Sequence, residues 1–380
     1  MHRIKTAIVG TGFMGKVHAE QVRRLGNVEI AAVVGSRPES ARKFAEAQGI
    51  ALATDKLEEV LANKEIVAIH ICTPNVDHFP QAMAALKAGK AVLCEKPMTT
   101  TAEEARQLVE TAGQMNAVNC VQHNLRYYPV LQQVRQMIAA GDLGDILIVQ
   151  GTYSQDWLLY DTDWNWRIDT KENGQLRVMG DIGSHWMDMI QHLTGLPITE
   201  VCAELATFHQ TRKRPKGSVE TFTGKKASAT DTEEFPIDSD DFAAVLVHLG
   251  DRARGAFTVS QMSAGRKNRF FFEIFGTKSG IAWNQEEPDT LWIGHRNEPN
   301  QILIKDASLF YPAAAKFADL PGGHSEGYDD SHKQVFKNFY ARVADASVPI
   351  DYPTFEDGLR GMILLEKVAE SSAKRAWVQV

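Results

Sequence analysis

A chain of 380 residues, 44% hydrophobic and 23% charged, has the length for two domains and the apolar content to give each a core. Its formal charge of −7 at pH 7 argues against nucleic acid as the main partner, because phosphate binding needs a basic face. No leader-like or membrane-spanning stretch is present and no cysteine pair has CxxC spacing, so a cytoplasmic protein in a reducing compartment is expected.

Residues 5–9 read as a short apolar strand, followed at once by Gly10-Thr11-Gly12-Phe13-Met14-Gly15 and a helical pattern through Leu25. This is G-x-G-x-x-G between strand and helix. The first glycine allows a tight turn, the second lets backbone approach a pyrophosphate, and the third lets helix pack on strand. The amino terminus of the helix then offers free N–H groups to phosphates, so a dinucleotide site is expected here. Residues 29–34 form the second strand, ending in Gly35-Ser36-Arg37-Pro38. An NAD-preferring site usually has an acid at this strand end for the ribose 2′-hydroxyl. None is present. Ser36 and Arg37 suit a 2′-phosphate instead, or Arg37 stacks on adenine without phosphate preference.

Helices at 39–48 and 57–62 follow, then an apolar strand at 65–72 ending in Thr73-Pro74-Asn75-Val76-Asp77-His78, and a helix at 81–88 closed by Gly89. Residues 91–94 are a buried strand that stops at Glu95-Lys96-Pro97. Pro97 disfavours the α region at Lys96, holds it extended or in a turn, and permits a cis bond. Charged residues at the carboxyl edge of a buried strand are where open α/β sheets place their chemistry; a solvated Glu–Lys pair is the plainer alternative. After a helix at 101–114 and a sixth strand at 117–122, the parallel, helix-flanked sheet closes near 124. Thr73, Pro74, Asn75, His78, Glu95, Lys96 and Gln122 lie at or beyond its strand ends and are candidate cofactor contacts. Cys72, Cys94 and Cys120 end apolar runs and read as small buried hydrophobes.

From here strands come without intervening helices, at 146–153, 198–209, 241–249, 252–262, 269–275 and 281–284, after an amphipathic helix at 129–140. Gly250-Asp251 reads as a tight hairpin, and the set as an antiparallel sheet whose outer face packs on a partner. Residues 211–238 read as a polar, strand-free loop or lid, with the basic run Arg212-Lys213-Arg214-Pro215-Lys216 as a solvated face. One helical segment stands out, from Gly180 to Leu193. Asp181 and His185 are four apart in it and so share a helix face. A carboxylate beside an imidazole can orient it and favour its protonated form, which makes His185 a candidate proton acceptor. A metal reading would recruit Asp181, His185 and His192, but no HxxxH or carboxylate cluster completes a shell, and no metal is expected. A packed helix with a polar seam is the bland alternative.

With these residues in view the chain resembles the Gfo/Idh/MocA oxidoreductase family. The resemblance rests on Gly10–Gly15, Thr73-Pro74-Asn75 with His78, Glu95-Lys96-Pro97, Asn124-Leu125-Arg126 with Pro129, Gly141-Asp142-Leu143-Gly144-Asp145-Ile146 and Asp181-Ile182-Gly183-Ser184-His185. It extends to Gly276-Thr277-Lys278-Ser279-Gly280 and Phe355-Glu356-Asp357-Gly358-Leu359, and so covers nearly the whole length. It implies an α/β protein: a Rossmann domain over 1–124, and over 125–380 a substrate and oligomerisation domain with a large open antiparallel sheet. It implies NAD or NADP as cofactor, sugars or cyclitols as substrates, a homodimer or homotetramer through that sheet, and Lys96, Asp181 and His185 as catalytic residues. Trp157, Trp164, Trp166 and Arg167 look like the glycoside and anhydrosugar branch, aromatic rings suiting sugar C–H faces; as core anchors they would need no ligand. Asn124, Arg126, Trp157, Trp166, Arg167 and His324 join the trio as candidate substrate contacts, His324 equally well as a cap for the helix at 330–344. The run before Asp181 departs from the family's glycine-rich pattern, and Arg177 there is a further candidate contact. Three functions stay open: a dehydrogenase of a secondary hydroxyl, a redox-neutral glycosidase that oxidises, eliminates and reduces, and a non-catalytic nicotinamide-sensing regulator.

Overall fold

The structure, a computed structural model, describes residues 3–216 and 231–380. They form two compact units. The first holds the chain up to Asn124 with residues 171–174 and 332–362; the second holds 125–170, 175–331 and 363–380. Residues 332–362, expected with the carboxyl-terminal domain, thus pack with the dinucleotide fold.

The first unit is built on six strands, β1 (Ile4–Val9), β2 (Val28–Val34), β3 (Leu52–Thr54), β4 (Ile66–Ile71), β5 (Ala91–Cys94) and β6 (Asn119–Val121). They are parallel, in the order β3-β2-β1-β4-β5-β6. The central strands are continuous apolar runs because helices cover both faces, and Ala7, Ile8, Ile69, Ile71 and Leu93 are fully buried. The helices are α1 (Phe13–Arg23), α2 (Pro38–Gln48), α3 (Leu57–Ala62), α4 (Asn75–Lys87) and α5 (Ala102–Gln114). Thr101 caps α5 by accepting from the Glu104 amide at 3.2 Å. The strand order reverses between β1 and β4, and the crevice beyond the carboxyl ends of such strands is where doubly wound sheets bind ligands. Helix α4 starts six residues earlier than expected, with Pro80 inside it. A proline forfeits one backbone bond and usually marks a boundary, but here the preceding turn is retained, with Asn75 and His78 on it.

The second unit begins with α6 (Pro129–Ala139) and β7 (Ile146–Ser154). A short helix α7 (Thr170–Asn173), of which residues 171–173 fall in the first unit, precedes a π-turn at Met179–Gly183 and α8 (Ser184–Thr194). Strands β8 (Ile198–Ala206), β9 (Thr211–Pro215), β10 (Thr232–Pro236), β11 (Phe242–Leu249), β12 (Ala253–Ser260), β13 (Arg269–Gly276), β14 (Gly280–Asn284), β15 (Thr290–Gly294) and β16 (Gln301–Ile304) follow. The chain ends with α9 (Pro312–Ala315), α10 (Tyr328–Ala344), α11 (Phe355–Lys374) and β17 (Val378–Gln379). Nine strands make one sheet in the order β16-β15-β14-β13-β7-β12-β11-β8-β17. It is mixed rather than purely antiparallel: β7 and β12 run parallel, because about a hundred residues separate them and no hairpin forces the reversal. Alternation buries Val245, Phe257, Phe270, Phe272 and Ile274 on one face, where Trp186 of α8 stacks on Phe257 with centroids 4.1 Å apart. The opposite face leaves Phe271 and Phe275 half-buried and Ile148 and Leu246 about half exposed.

The expected strand-free segment is corrected. Its ends are β9 and β10, an antiparallel pair; residues 217–230 lie outside the described residues. The basic run is not wholly a solvated face either, since Arg212 is buried and paired with Asp241 at 3.0 Å. No helix among the described residues is long and apolar enough to cross a membrane.

Candidate active site

In the first unit the glycine turn has the close approaches that exclude side chains. Gly10 sits at φ +107°, and a Cβ there would lie 2.5 Å from the Cys72 carbonyl. A Cβ on Gly15 would collide with the Gly10 carbonyl, whereas one on Gly12 would meet nothing within 4 Å. Gly12 is the N-cap of α1 and has no side chain with which to cap it. The open space over Gly12 at the head of α1 is a cradle that fits a pyrophosphate. Thr11 and Met14 flank it half-buried, and Phe13 is exposed. Ser36 and Arg37 are exposed after β2, with no acid beside them.

The strand-end residues divide. Thr73 donates to Gln81 at 2.8 Å. His78 places Nδ1 2.8 Å from the Pro97 carbonyl and Nε2 2.9 Å from that of Thr73. It staples the end of β4 to the Lys96–Pro97 turn, whose bond is cis. Burial pushes its pKa down against the pull of those carbonyls. Asn75 donates to the Asn173 carbonyl at 3.0 Å. Gln122 donates to His332 Nδ1 at 2.6 Å, and Glu95 pairs with His18 Nε2 at 2.9 Å. Four expected cofactor contacts, Asn75, His78, Glu95 and Gln122, are thus buried and engaged within the protein. Burial also raises the Cys72 and Cys94 thiols, so both are inert apolar filling.

In the second unit Asp181 sits on the π-turn that opens α8. Such turns widen a helix locally and recur at functional sites. Gln261 donates to Asp181 Oδ2 at 2.7 Å and Arg167 Nε to Oδ1 at 3.2 Å. Arg167 also lies 4.5 Å over the Trp166 ring, and Asn165 caps the short turn that carries both. His185 lies in the first turn of α8, is 7% exposed, and has its ring centroid 6.3 Å from that of Tyr153. Trp157 is half-buried and donates to Gln155 at 2.8 Å. Two expected substrate arginines are otherwise occupied. Arg126 is buried, its Nε 2.8 Å from Asp188 Oδ2. Arg177 is fully buried against Asp240 and Asp241. Asn124 is buried and His324 exposed.

Sequence reasoning missed the pair Asp240 and Asp241. Asp240 accepts from the Met179 amide at 2.9 Å, at the start of the π-turn. Asp241 binds Arg212, which donates to the carbonyls of Leu158 at 2.9 Å and Tyr160 at 2.7 Å. One acidic pair thereby sets both the turn bearing Asp181 and the tryptophan loop. The sequence signal was two adjacent acids at the head of an apolar strand.

Two family profiles match the chain: an oxidoreductase family with an NAD-binding Rossmann fold over residues 4–123, and a GFO/IDH/MocA C-terminal domain over 131–282. Levoglucosan dehydrogenase of Pseudarthrobacter phenanthrenivorans is 27% identical over 402 residues, spanning 100% of this chain and 99% of that protein. D-glucoside 3-dehydrogenase of Escherichia coli is 30% identical over 198 residues, 51% of this chain and 55% of that one. Among solved structures, apo levoglucosan dehydrogenase matches with a TM-score of 0.91 at 26% identity, covering 100% of this chain and 99% of the other. Its complex with NADH and L-sorbose matches with 0.89, at the same identity and coverage. With the close-packed glycine turn, the reversed parallel sheet and profiles covering both units, the chain belongs to the Gfo/Idh/MocA family of NAD-binding oxidoreductases.

Proposed function

We propose that the protein is a dehydrogenase for a secondary hydroxyl of a sugar, cyclitol or glycoside. The observation that carries this reading is the Asp181 carboxylate, fixed by Arg167 and Gln261 one turn from His185 and beside a half-exposed tryptophan. Trp157 and Trp166 offer ring faces to sugar C–H bonds, and Arg167 offers donors to hydroxyls. The names of the relatives support the substrate class, being dehydrogenases of levoglucosan and of D-glucosides.

In this reading Lys96 donates to the reacting hydroxyl oxygen and stabilises the negative charge that develops on it. His185 accepts the hydroxyl proton, and Asp181 holds the ring in its orientation. When bound at Gly10–Gly15, the dinucleotide supplies the hydride acceptor. Ser36 and Arg37 suit NADP as well as NAD. The half-covered outer face of the nine-stranded sheet supports a homo-oligomer. The test is a panel of sugars, cyclitols and glycosides followed by reduced-nicotinamide absorbance. Growth of that signal in step with product is expected. Aglycone released with no net reduced cofactor overturns the dehydrogenase in favour of redox-neutral cleavage.

A further inference from the structure

Behind the Lys96 turn lies a row of buried polar side chains that the proposed chemistry does not use. Tyr340 on α10, His70 on β4 and His18 on α1 are at most 1% exposed, and Glu95 is 6% exposed. Tyr340 OH is 2.7 Å from His70 Nε2, the two Nδ1 atoms of His70 and His18 are 2.9 Å apart, and His18 Nε2 is 2.9 Å from Glu95 Oε1. Phe336 packs edge-on against both histidine rings, with centroids 4.8 and 5.0 Å away.

The protons in this row can be assigned by elimination. Each histidine meets a neighbour at both nitrogens, so a neutral ring must donate on one side and accept on the other. An ionised Glu95 only accepts, so His18 carries its proton on Nε2 and accepts at Nδ1. His70 then carries its proton on Nδ1 and accepts at Nε2 from the Tyr340 hydroxyl. Every link is satisfied with both rings neutral, and all donors point toward Glu95. Burial supports a neutral His70, whose pKa lies well below the ordinary value. Beyond it the buried Tyr340 hydroxyl also meets the Thr6 side chain, itself fully buried, so the row reaches no solvent there and is not a proton exit.

We propose that Tyr340, His70 and His18 form a one-way hydrogen-bond chain ending on Glu95, and that His18 is a positioning residue for Lys96. The coupling is short. Glu95 Oε1 takes the chain, while Oε2 accepts from the Lys96 backbone N–H at 3.3 Å, at the root of the turn from which the lysine departs. Holding the carboxylate in one rotamer therefore holds that turn. His18 from α1, His332 from α10 and Lys96 face Glu95, and Cys72, Cys94 and His78 lie in its field. The ligand atoms of His18, Glu95 and His332 lie within 4.8 Å of one another, which a cation could exploit. It would have to displace the proton that completes the chain, so a cation site is the competing reading. The role given to Lys96 rests on the dehydrogenase reading; the chain itself does not.

Long-range proton–nitrogen spectra of the full chain labelled with ¹⁵N-histidine test it first. Two neutral rings are expected, His18 as the Nε2–H tautomer and His70 as the rarer Nδ1–H tautomer. Assignment comes from H18Q and H70Q. An imidazolium at His18, the opposite tautomers, or one equivalent of added zinc perturbing His18 and His332 together would overturn the chain. Kinetics test the positioning. H18L severs the chain, whereas in H18Q the amide accepts from His70 and donates to Glu95. H18L should lower kcat on the order of 10²-fold, the scale of a small misplacement at a reacting group. NADH affinity should stay unchanged and H18Q should recover most of the loss. Unchanged kcat in H18L, or H18Q as poor as H18L while still folded, overturns the positioning role. If no sugar in the panel is turned over, the dehydrogenase reading fails and the tautomer spectra still decide the chain.

Discussion

The proposed trio Lys96, Asp181 and His185 were singled out from the sequence because each sits where backbone changes character: a strand that stops at a proline, and a helix opened by glycines. The residues that hold them were not. His18 and His70 look like ordinary members of an apolar helix and an apolar strand, and only the fold sets them 2.9 Å apart. For the trio, K96M or H185A should leave NADH binding intact and lower turnover by about 10²–10⁴-fold. The double variant should be little worse than either single one, since residues acting as a unit are not additive. Full additivity in single-turnover rates would deny them a common step. R37A should weaken NADP binding much more than NAD binding; equal loss in a fluorescence titration would remove the 2′-phosphate argument.

The buried histidines carry a pH signature. Burial pushes His332 down to about 3 and holds His70 well below its usual value. Unfolding restores both rings toward 6.5, so between these values the unfolded chain binds more protons. Their contribution to stability is full above about 6.5 and drains as pH falls below it, toward about 3 for His332, each ring steepening the slope by up to about 1.4 kcal/mol per pH unit. Glu95 adds to the loss lower down. Burial works to raise its pKa, but the bond from His18 and the charge of Lys96 hold it below the usual carboxylate value. Urea midpoints that drop steeply from pH 7 to pH 5 are expected; a flat profile would contradict the burial of neutral rings.

At the scale of elements, periodicity finds what it can measure. The six parallel strands and the long carboxyl-terminal strands are apolar at period one or two, and their order along the chain was readable. Strands β9 and β10 are polar on both sides, Thr-Arg-Lys-Arg-Pro against Thr-Glu-Glu-Phe-Pro, so no hydrophobic rhythm marked them. What holds them is Arg212, with no exposed side-chain surface, on Asp241. Burial opposes the Asp241 charge, but Arg177 and Arg212 outweigh it and hold its pKa below the usual value. D241A would leave two buried guanidiniums without their acid, and breaking a buried pair in this way costs about 3–5 kcal/mol. Denaturation should show a loss of that size, together with a raised KM from a loosened tryptophan loop. A loss below about 1 kcal/mol would mean the network is dispensable.

For the whole molecule, the open sheet face is the feature with consequences beyond one chain. Ile148 and Leu246 stand about half exposed beside half-buried Phe271 and Phe275. Phe270 and Phe272 alternate with Phe271 and Phe275 between the two faces, and which face is covered depends on α8 lying against one of them. Light scattering at micromolar concentration should give a homo-oligomer, and L246E should shift it toward monomer with the fold retained. A wild-type monomer would reject that assembly.

The account stands most directly on stoichiometry. With a turned-over member of the sugar panel, reduced cofactor and oxidised product should appear one for one in the wild type, and both should form at least about 10²-fold more slowly in a K96M/H185A double variant that still binds NADH. Product without reduced cofactor, or wild-type turnover surviving in the double variant, would contradict it.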